Sequence, residues 1–263
     1  MKFSSRIQIG RHYPVDSPMH AMDAAAKIAC AILLILAVFL ADSPYTVLGF
    51  TLFIFFIIYL SGLPSLQILR GLRAVLVILV ITSLTQLFFA SGKVLVSIGP
   101  IDITNTGITN GILYSLRIVL LTLIISLLTL TTAPTDLVRG FERLFKPLAW
   151  LRVPTQRLAM VLMLAFRFLP VLITRADDIV IAQVSRGADF ESKNLFRRVG
   201  ALFPLLLPLF VACFRDAEEL SLAMACRGWR GDATRTSYRE SRLHTRDLVA
   251  TLLSLAALAL ALL

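Results

Sequence analysis

Two short stretches of the sequence share a pattern suited to binding another protein. "AQVSRG" ends at Gly187 and "AMACRG" ends at Gly228, so six positions recur 41 residues apart. Arg offers five donors in a rigid fork that fits carboxylates, and Gly lets the chain turn where a side chain would clash. The repeat predicts two exposed docking elements, formed by Ser185, Arg186, Gly187, Cys226, Arg227 and Gly228.

Each triplet taken alone also has a plain structural interpretation. Both follow stretches of helical periodicity, and a helix commonly ends at a Gly in the left-handed conformation. An Arg in the last turn then interacts favourably with the helix dipole, by less than ~1 kcal/mol. Two copies in one segment favour the docking interpretation, with a partner that has two equivalent sites.

Catalytic chemistry has little support in this sequence. It contains no GxxxxGK[ST], the loop that holds nucleotide phosphates. His12, His20 and His244 are scattered, and the three cysteines are widely spaced, so neither set has the spacing of metal ligands. Asp177 and Asp178 could form an acid pair, but a solvated helix face explains them better. We predict no catalytic residue, no metal site and no cofactor bound by this chain.

The composition predicts an integral membrane protein. Of its 263 residues, 57% are apolar, and the mean hydropathy is +0.82. A membrane-spanning helix needs about 20 mostly apolar residues. Five apolar runs approach that length, at residues 24–41, 46–60, 74–90, 112–132 and 247–263. A polar loop is expected at residues 91–111, between the third and fourth runs.

The basic residues predict the orientation of these spans. Lys and Arg precede the first span and lie between the second and third, whereas the loop after the third carries only Lys93. Residues 133–246 hold 18 Lys or Arg and 11 Asp or Glu. Because cytoplasmic loops are enriched in Lys and Arg, the N-terminus and residues 133–246 are expected in the cytoplasm.

The middle of the chain contains two further apolar runs, at residues 158–174 and 201–214. Arg167 lies at the centre of the first and Pro170 follows it, and the second contains two prolines. A central Arg is costly in a bilayer, so we expect amphipathic helices at the cytoplasmic surface, with a kink at Arg167 and Pro170. A membrane-inserted hairpin is the alternative. Helical spacing predicts a packing face with Phe210, Phe214 and Met224, opposite a solvated face with Asp216.

The predicted fold is therefore an all-α integral membrane protein, with about five transmembrane helices and a cytoplasmic layer of amphipathic coupling helices. Residues 1–133 would form an N-terminal tail and a four-span domain. Residues 134–243 would form the coupling-helix layer, and residues 244–263 the last span.

At the two triplets the sequence resembles the transmembrane T component (EcfT, CbiQ-like family) of energy-coupling factor vitamin transporters, whose hallmark is a pair of Ala-Arg-Gly motifs. The segments "IGRHYPVDSPMHAMD", "RLAMVLMLAFRFLP" and "LFPLLLPLFVACFRDAEELSLAMACRGWRG" also resemble that family. The resemblance covers nearly the whole chain. Within the family, the chain resembles the shared-module group, in which one T component serves several capture subunits. Two departures are Ala24 and Ala25, where the family tends to have Pro and Arg.

The resemblance implies a non-catalytic subunit of an ABC importer in the plasma membrane of a prokaryote. Two ABC ATPases, which hold ATP and Mg, would each receive one Arg-Gly motif. A substrate-capture S component would be the membrane partner, and no nucleic acid is expected. The packing face would contact neighbouring coupling helices or the capture subunit. Two alternatives remain: a membrane scaffold or receptor with a basic docking platform, and a T component dedicated to cobalt or nickel uptake.

Overall fold

A computed structural model of the chain describes residues 19–62, 65–89, 94–98, 101–147, 154–188, 195–229 and 244–262. They form eight helices and one β-hairpin: α1 Ala24–Leu40, α2 Pro44–Ser61, α3 Ser65–Phe89, β1 Val94–Ile98, β2 Ile101–Thr104, α4 Asn105–Thr131, α5 Pro134–Phe145, α6 Thr155–Ser185, α7 Leu195–Cys226 and α8 Thr245–Leu262. The predicted all-α membrane class is confirmed.

The region predicted as a polar loop, residues 91–111, contains regular structure where the structure describes it, at residues 94–98 and 101–111. β1 and β2 pair in antiparallel register, with Ile98 opposite Ile101. α4 then begins at Asn105, and the Thr104 hydroxyl caps it by accepting a hydrogen bond from the Gly107 amide at 3.1 Å. The loop prediction was therefore wrong for these residues, because a side-chain cap and short-range pairing satisfy the backbone there.

Four of the described helices are long and apolar enough to cross a membrane: Pro44–Ser61, Asn105–Thr131, Thr155–Ser185 and Thr245–Leu262. Ala24–Leu40 and Val75–Phe88 are shorter apolar helices. The molecule is thus a multi-pass membrane protein. By length and composition α6 qualifies as a span. The sequence pattern of residues 158–174 instead predicts an amphipathic helix at the membrane surface. The count of five spans stays a prediction.

The chain divides into two compact units. The bundle unit lies within Arg11–Pro147 and Ser241–Leu263, and the hairpin unit lies within Leu148–Glu240. The bundle unit therefore contains α1 to α5 and α8, whereas the hairpin unit contains α6 and α7. The domain limits at residues 133 and 243 stay predictions.

The core of the bundle unit lies where α1, α2 and α4 meet. Val38, Val47 and Leu120 are almost fully buried there, and α8 adds Ala257 and Leu258 at the edge. Ala37 is also fully buried, and its small side chain lets neighbouring helices approach closely, as is usual between membrane helices. This core fixes the helices that carry the polar groups described next.

Arg117, near the middle of α4, has a structural partner. Its guanidinium donates a hydrogen bond to the carbonyl of Ala41, the residue that ends α1. It also lies 3.8 Å from the Asp42 carboxylate and 5.5 Å from the ring centre of Tyr114. A charge inside a membrane helix needs such partners, and here they tie α4 to the end of α1.

Asp247 joins the first turns of α1 and α8. Its side chain is buried, with 1% of the residue exposed. One carboxylate oxygen accepts from the backbone N–H of Asp23 at 3.1 Å, and the other accepts from the N–H of His244 at 2.9 Å. Asp23 and His244 immediately precede the two helices. The contact with His244 is the back-bonding half of a capping box, so one carboxylate accepts from the N–H of the residue that precedes each helix.

The side chain of Asp23 connects the start of α1 to α5. It accepts a hydrogen bond from Arg143 at 2.5 Å, and it makes no cap of its own helix. Lys27, one turn further along α1, donates to the carbonyls of His20 at 3.2 Å and Thr131 at 3.1 Å. We call Asp23, Lys27, Arg143 and Asp247 the polar node. It links α1, α4, α5 and α8 at one end of the bundle.

α5 lies very close to the start of α1. A Cβ built on Gly140 would lie 2.9 Å from the carbonyl carbon of Ala24 and 3.0 Å from the backbone nitrogen of Ala25. Both atoms belong to the backbone and cannot rotate away. Gly140 is therefore required for this approach. Ala25 is itself buried, at 6% exposed, so a long side chain at that position would have to displace its neighbours.

We expect Gly140→Ala to destabilise the bundle unit by about 1–3 kcal/mol, because the added methyl group forces the two backbones apart. The measurement is the thermal unfolding midpoint of the detergent-solubilised chain. Gly49→Ala is the control, since nothing lies within 4 Å of a Cβ built there and Ala favours a helix over Gly. Equal midpoints for the two variants would contradict the close approach.

We also expect Asp247→Asn to destabilise the chain by about 1–3 kcal/mol, because the amide turns one buried acceptor into a donor that faces an N–H group. Asp136→Asn is the comparison, since that carboxylate is half-exposed and pairs with the equally exposed Arg139 at 3.5 Å. Unfolding midpoints measured side by side test this. A larger loss for Asp136→Asn would show that the polar node contributes little.

Candidate protein-docking site

α6 and α7 form an antiparallel hairpin. Gln183, near the end of α6, donates to the carbonyl of Pro204 in the first half of α7 at 3.4 Å. Arg175 pairs with Asp216, later in α7, at 2.9 Å. Val180 packs on Leu205 in a small core between these polar contacts. The end of α6 therefore lies beside the first half of α7, and the end of α7 lies far from it.

The first Arg-Gly triplet closes α6. Gly187 has φ +87°, and its N–H donates to the carbonyl of Val184 at 2.9 Å. The N–H of Ala188 reaches back to the carbonyl of Gln183 at 3.0 Å. These two bonds define a Schellman motif. Arg186 occupies the last position before the left-handed residue and is exposed.

The second triplet closes α7 in the same way. Gly228 has φ +73°, and its N–H donates to the carbonyl of Ala225 at 2.9 Å. The N–H of Trp229 donates to the carbonyl of Met224 at 3.0 Å. Arg227 is exposed and takes the position that Arg186 takes in the first motif. The sequence repeat is therefore a repeat of backbone geometry.

The two caps differ in the residues around the Arg. Ser185 is exposed, and its hydroxyl donates to the carbonyl of Ile181 at 3.1 Å. Its counterpart Cys226 is also exposed. The residue after the Gly is Ala188 in the first cap and Trp229, 44% exposed, in the second. Both caps can therefore present a guanidinium, but only the second adds a large aromatic surface.

The distance between the caps follows from the hairpin. The first cap lies near Pro204, and the second follows Cys226, which is 22 residues further along α7. At 1.5 Å per residue this stretch of helix is roughly 33 Å long. One small binding site cannot span both caps, so the geometry suits two separate docking sites.

The predicted packing face on α7 is only partly covered. Phe210 and Phe214 are 60% and 64% exposed, with ring centres 6.1 Å apart. Met224 is half-buried. The two aromatic rings thus form an apolar surface that the described residues do not cover. Its partner stays a prediction.

Arg167 and Pro170 lie in the middle of α6. The helix continues without interruption from Thr155 to Ser185, with Pro170 inside it. Both residues are exposed. A kink at this position stays a prediction. An exposed Arg at the centre of an apolar helix suits either a lipid headgroup or a partner protein.

Two acidic residues do not lie on solvated faces as expected. The Asp216 side chain is 14% exposed and is held by Arg175, and Asp177 is 7% exposed. Helical periodicity assigns a residue to a face, but it does not reveal a partner on another helix. The sequence patterns also did not identify Arg143, Asp247 or Trp229. For Asp247, the available signal was a charged residue at the start of an apolar run.

The chain was compared with known proteins. A family model described as "Cobalt transport protein" matches residues 16–238. The energy-coupling factor transporter transmembrane protein EcfT of Staphylococcus aureus is 36% identical over 93% of this chain and 92% of the relative. The EcfT protein of Thermosediminibacter oceani is 40% identical over 93% of this chain and 92% of the relative. That of Exiguobacterium sibiricum is 41% identical over 91% of each chain. The chain belongs to the EcfT family.

Family membership confirms the predicted resemblance and places the chain among the transmembrane T components of energy-coupling factor transporters. Its relatives are transporter subunits, so the chain is a component of a multi-subunit transporter. The Schellman caps lie within the residues that the family model matches.

We expect Gly228→Ala to open the last turn of α7, because a left-handed conformation costs a residue with a Cβ about 1–2 kcal/mol. Amide hydrogen exchange at residues 228 and 229 should become faster, since their N–H groups make the cap hydrogen bonds. Gly200→Ala on the same helix is the control, because Gly200 also has open space around a built Cβ but no left-handed φ. Unchanged exchange in Gly228→Ala would contradict the importance of this cap.

Proposed function

We propose that the chain is the coupling subunit of an energy-coupling factor ABC importer. It would transmit the ATP-driven motion of two cytoplasmic ATPases to a substrate-capture subunit in the membrane, for uptake of vitamins or related micronutrients. The observation that carries this proposal is the pair of Schellman caps. Each presents an exposed Arg at the same position of the same backbone motif.

The separation of the caps supports two ATPases rather than one. Each Arg can form paired hydrogen bonds with carboxylates in a groove on its partner, and the caps are roughly 33 Å apart along α7. Ala188 and Trp229 distinguish the caps and suit two different ATPases. Ser185 and Cys226 are small, so each allows an ATPase surface to approach the Arg closely.

Two contacts connect α6 to α7 within the hairpin: the ion pair between Arg175 and Asp216 and the packing of Val180 on Leu205. A displacement of one cap by its ATPase is therefore passed to both helices. ATP and Mg would be bound by the ATPases, and this chain would contribute no catalytic group to hydrolysis.

The capture subunit would contact the uncovered apolar surface on α7. Phe210 and Phe214 are exposed aromatic residues, and such residues are enriched in the cores of protein interfaces. Met224 can adapt to different partners because its side chain is flexible. A shared T component that serves several capture subunits needs such a surface.

The orientation follows from the positive-inside rule. The N-terminus and the hairpin unit would lie in the cytoplasm, where the ATPases are. A transporter for cobalt or nickel is the second candidate, favoured by the description of the matching family model. Both candidates use the same docking chemistry, because the capture subunit selects the substrate.

We expect Arg186→Glu and Arg227→Glu each to weaken ATPase binding, and the double variant to abolish substrate uptake. Loss of one partner from a buried charged pair typically costs about 2–5 kcal/mol, and a reversed charge adds repulsion. The measurement is pull-down of the ATPases from membranes, together with uptake in cells that hold the ATPases and a capture subunit.

Arg215→Glu is the matched control. Arg215 lies on α7, its side chain is 80% exposed, and it forms an i,i+4 pair with Glu219 at 3.7 Å, so its reversal should leave uptake near the wild-type value. If the double variant binds both ATPases and transports normally, the triplets are simple helix caps. If the ATPases bind but the hydrolysis cycle drives no uptake in the wild type, the chain is a scaffold.

A further inference from the structure

A groove of about 450 Å³ lies between α2 and α8 in the bundle unit. Its floor is formed by α1 and α4, with Ala31 and Leu123 among the lining residues. Its walls are apolar and open at the side, since Phe56 and Leu253 are 59% and 52% exposed. The polar node lies at one end. A groove that opens on the outer surface of membrane helices faces lipid.

The groove is short. It extends over eight residues of α1, from Lys27 to Leu34, and over nine residues of α4, from Leu123 to Thr131. At 1.5 Å per residue it is roughly 12 Å long. The length is close to the thickness of one leaflet, about half of a ~30 Å hydrocarbon core.

The end of the groove at the polar node is positively charged. Lys27 and Arg246 line it, and Arg246 is exposed. Of the three nearby carboxylates, Asp23 pairs with Arg143 and Asp136 pairs with Arg139. Asp247 accepts from two backbone N–H groups and keeps its charge, so Lys27 and Arg246 outnumber it by one. Lys27 uses two of its three donors on carbonyl groups. Basic pockets between membrane helices bind anionic headgroups.

We propose that this groove is a binding site for an anionic phospholipid. One acyl chain lies between α2 and α8 on the floor formed by α1 and α4, and the phosphate contacts Arg246 and Lys27. The bound lipid fills the gap where α2 and α8 diverge and connects α2 to the polar node. This site is separate from the docking caps and does not depend on the proposed transport function.

Native mass spectrometry of the full chain in detergent tests the site, with phosphatidylglycerol and phosphatidylcholine of identical acyl chains as probes. We expect the wild type to retain phosphatidylglycerol about fivefold better than phosphatidylcholine. This is the ratio expected when one Lys or Arg contacts an anionic lipid headgroup. Arg246→Gln should make the retention of the two lipids nearly equal. Ala250→Phe places a ring in the groove and should remove both lipids.

Two matched variants control for the change of charge and of size. Arg73→Gln removes an exposed cation of α3, and Ala256→Phe adds the same ring to an exposed position of α8 outside the groove. Both should retain phosphatidylglycerol as the wild type does. If Ala250→Phe is not folded by circular dichroism, Leu253→Trp, at the exposed wall, replaces it.

The proposal is overturned if the wild type shows no preference between the two lipids, or if the groove-filling variant retains phosphatidylglycerol at the wild-type level. It is also overturned if filling the groove leaves lipid binding intact but prevents association with another membrane subunit. In that case the groove is a protein interface.

Discussion

One buried carboxylate holds the end of the bundle together. Asp247 accepts hydrogen bonds from the N–H groups of Asp23 and His244, the residues that immediately precede α1 and α8. Through Asp23 it also fixes the acceptor for Arg143, and so the position of α5. The close approach at Gly140 is possible only while α1 starts at that point. The positions of three helices, α1, α5 and α8, therefore depend on this one carboxylate.

The two Schellman caps depend on a different constraint, the left-handed conformation of Gly187 and Gly228. A Schellman motif fixes the direction of the chain at a helix end, so it also fixes where the preceding Arg begins. Two copies of the motif give two Arg residues the same local geometry. Because the caps lie at opposite ends of the interhelical contact, equivalent chemistry is presented at two distant places.

The sequence predicts the helices and their caps better than it predicts the contacts of the polar node. Long apolar runs and a Gly after an Arg are local signals, and they identify the helices and both caps. The contact of Asp247 with Asp23 joins residues 224 positions apart, and no periodicity encodes such a pair. The hairpin of β1 and β2 is too short for a clear alternation. Composition also does not distinguish a helix that spans a bilayer from one that lies on it, so α6 qualifies as a span in spite of Arg167.

The two units differ in how far their apolar residues are buried, and this difference affects how the hairpin unit can respond to a partner. The bundle unit has a continuous core of α1, α2 and α4, whereas the buried core described for the hairpin unit consists of Val180 and Leu205. Phe203, Leu207 and Phe214 of α7 are among its exposed apolar residues. A unit with little internal core takes its stability from what covers it. A partner that binds one arrangement of the hairpin better than another shifts the equilibrium between the two arrangements. The size of that shift is set by the difference between the two affinities.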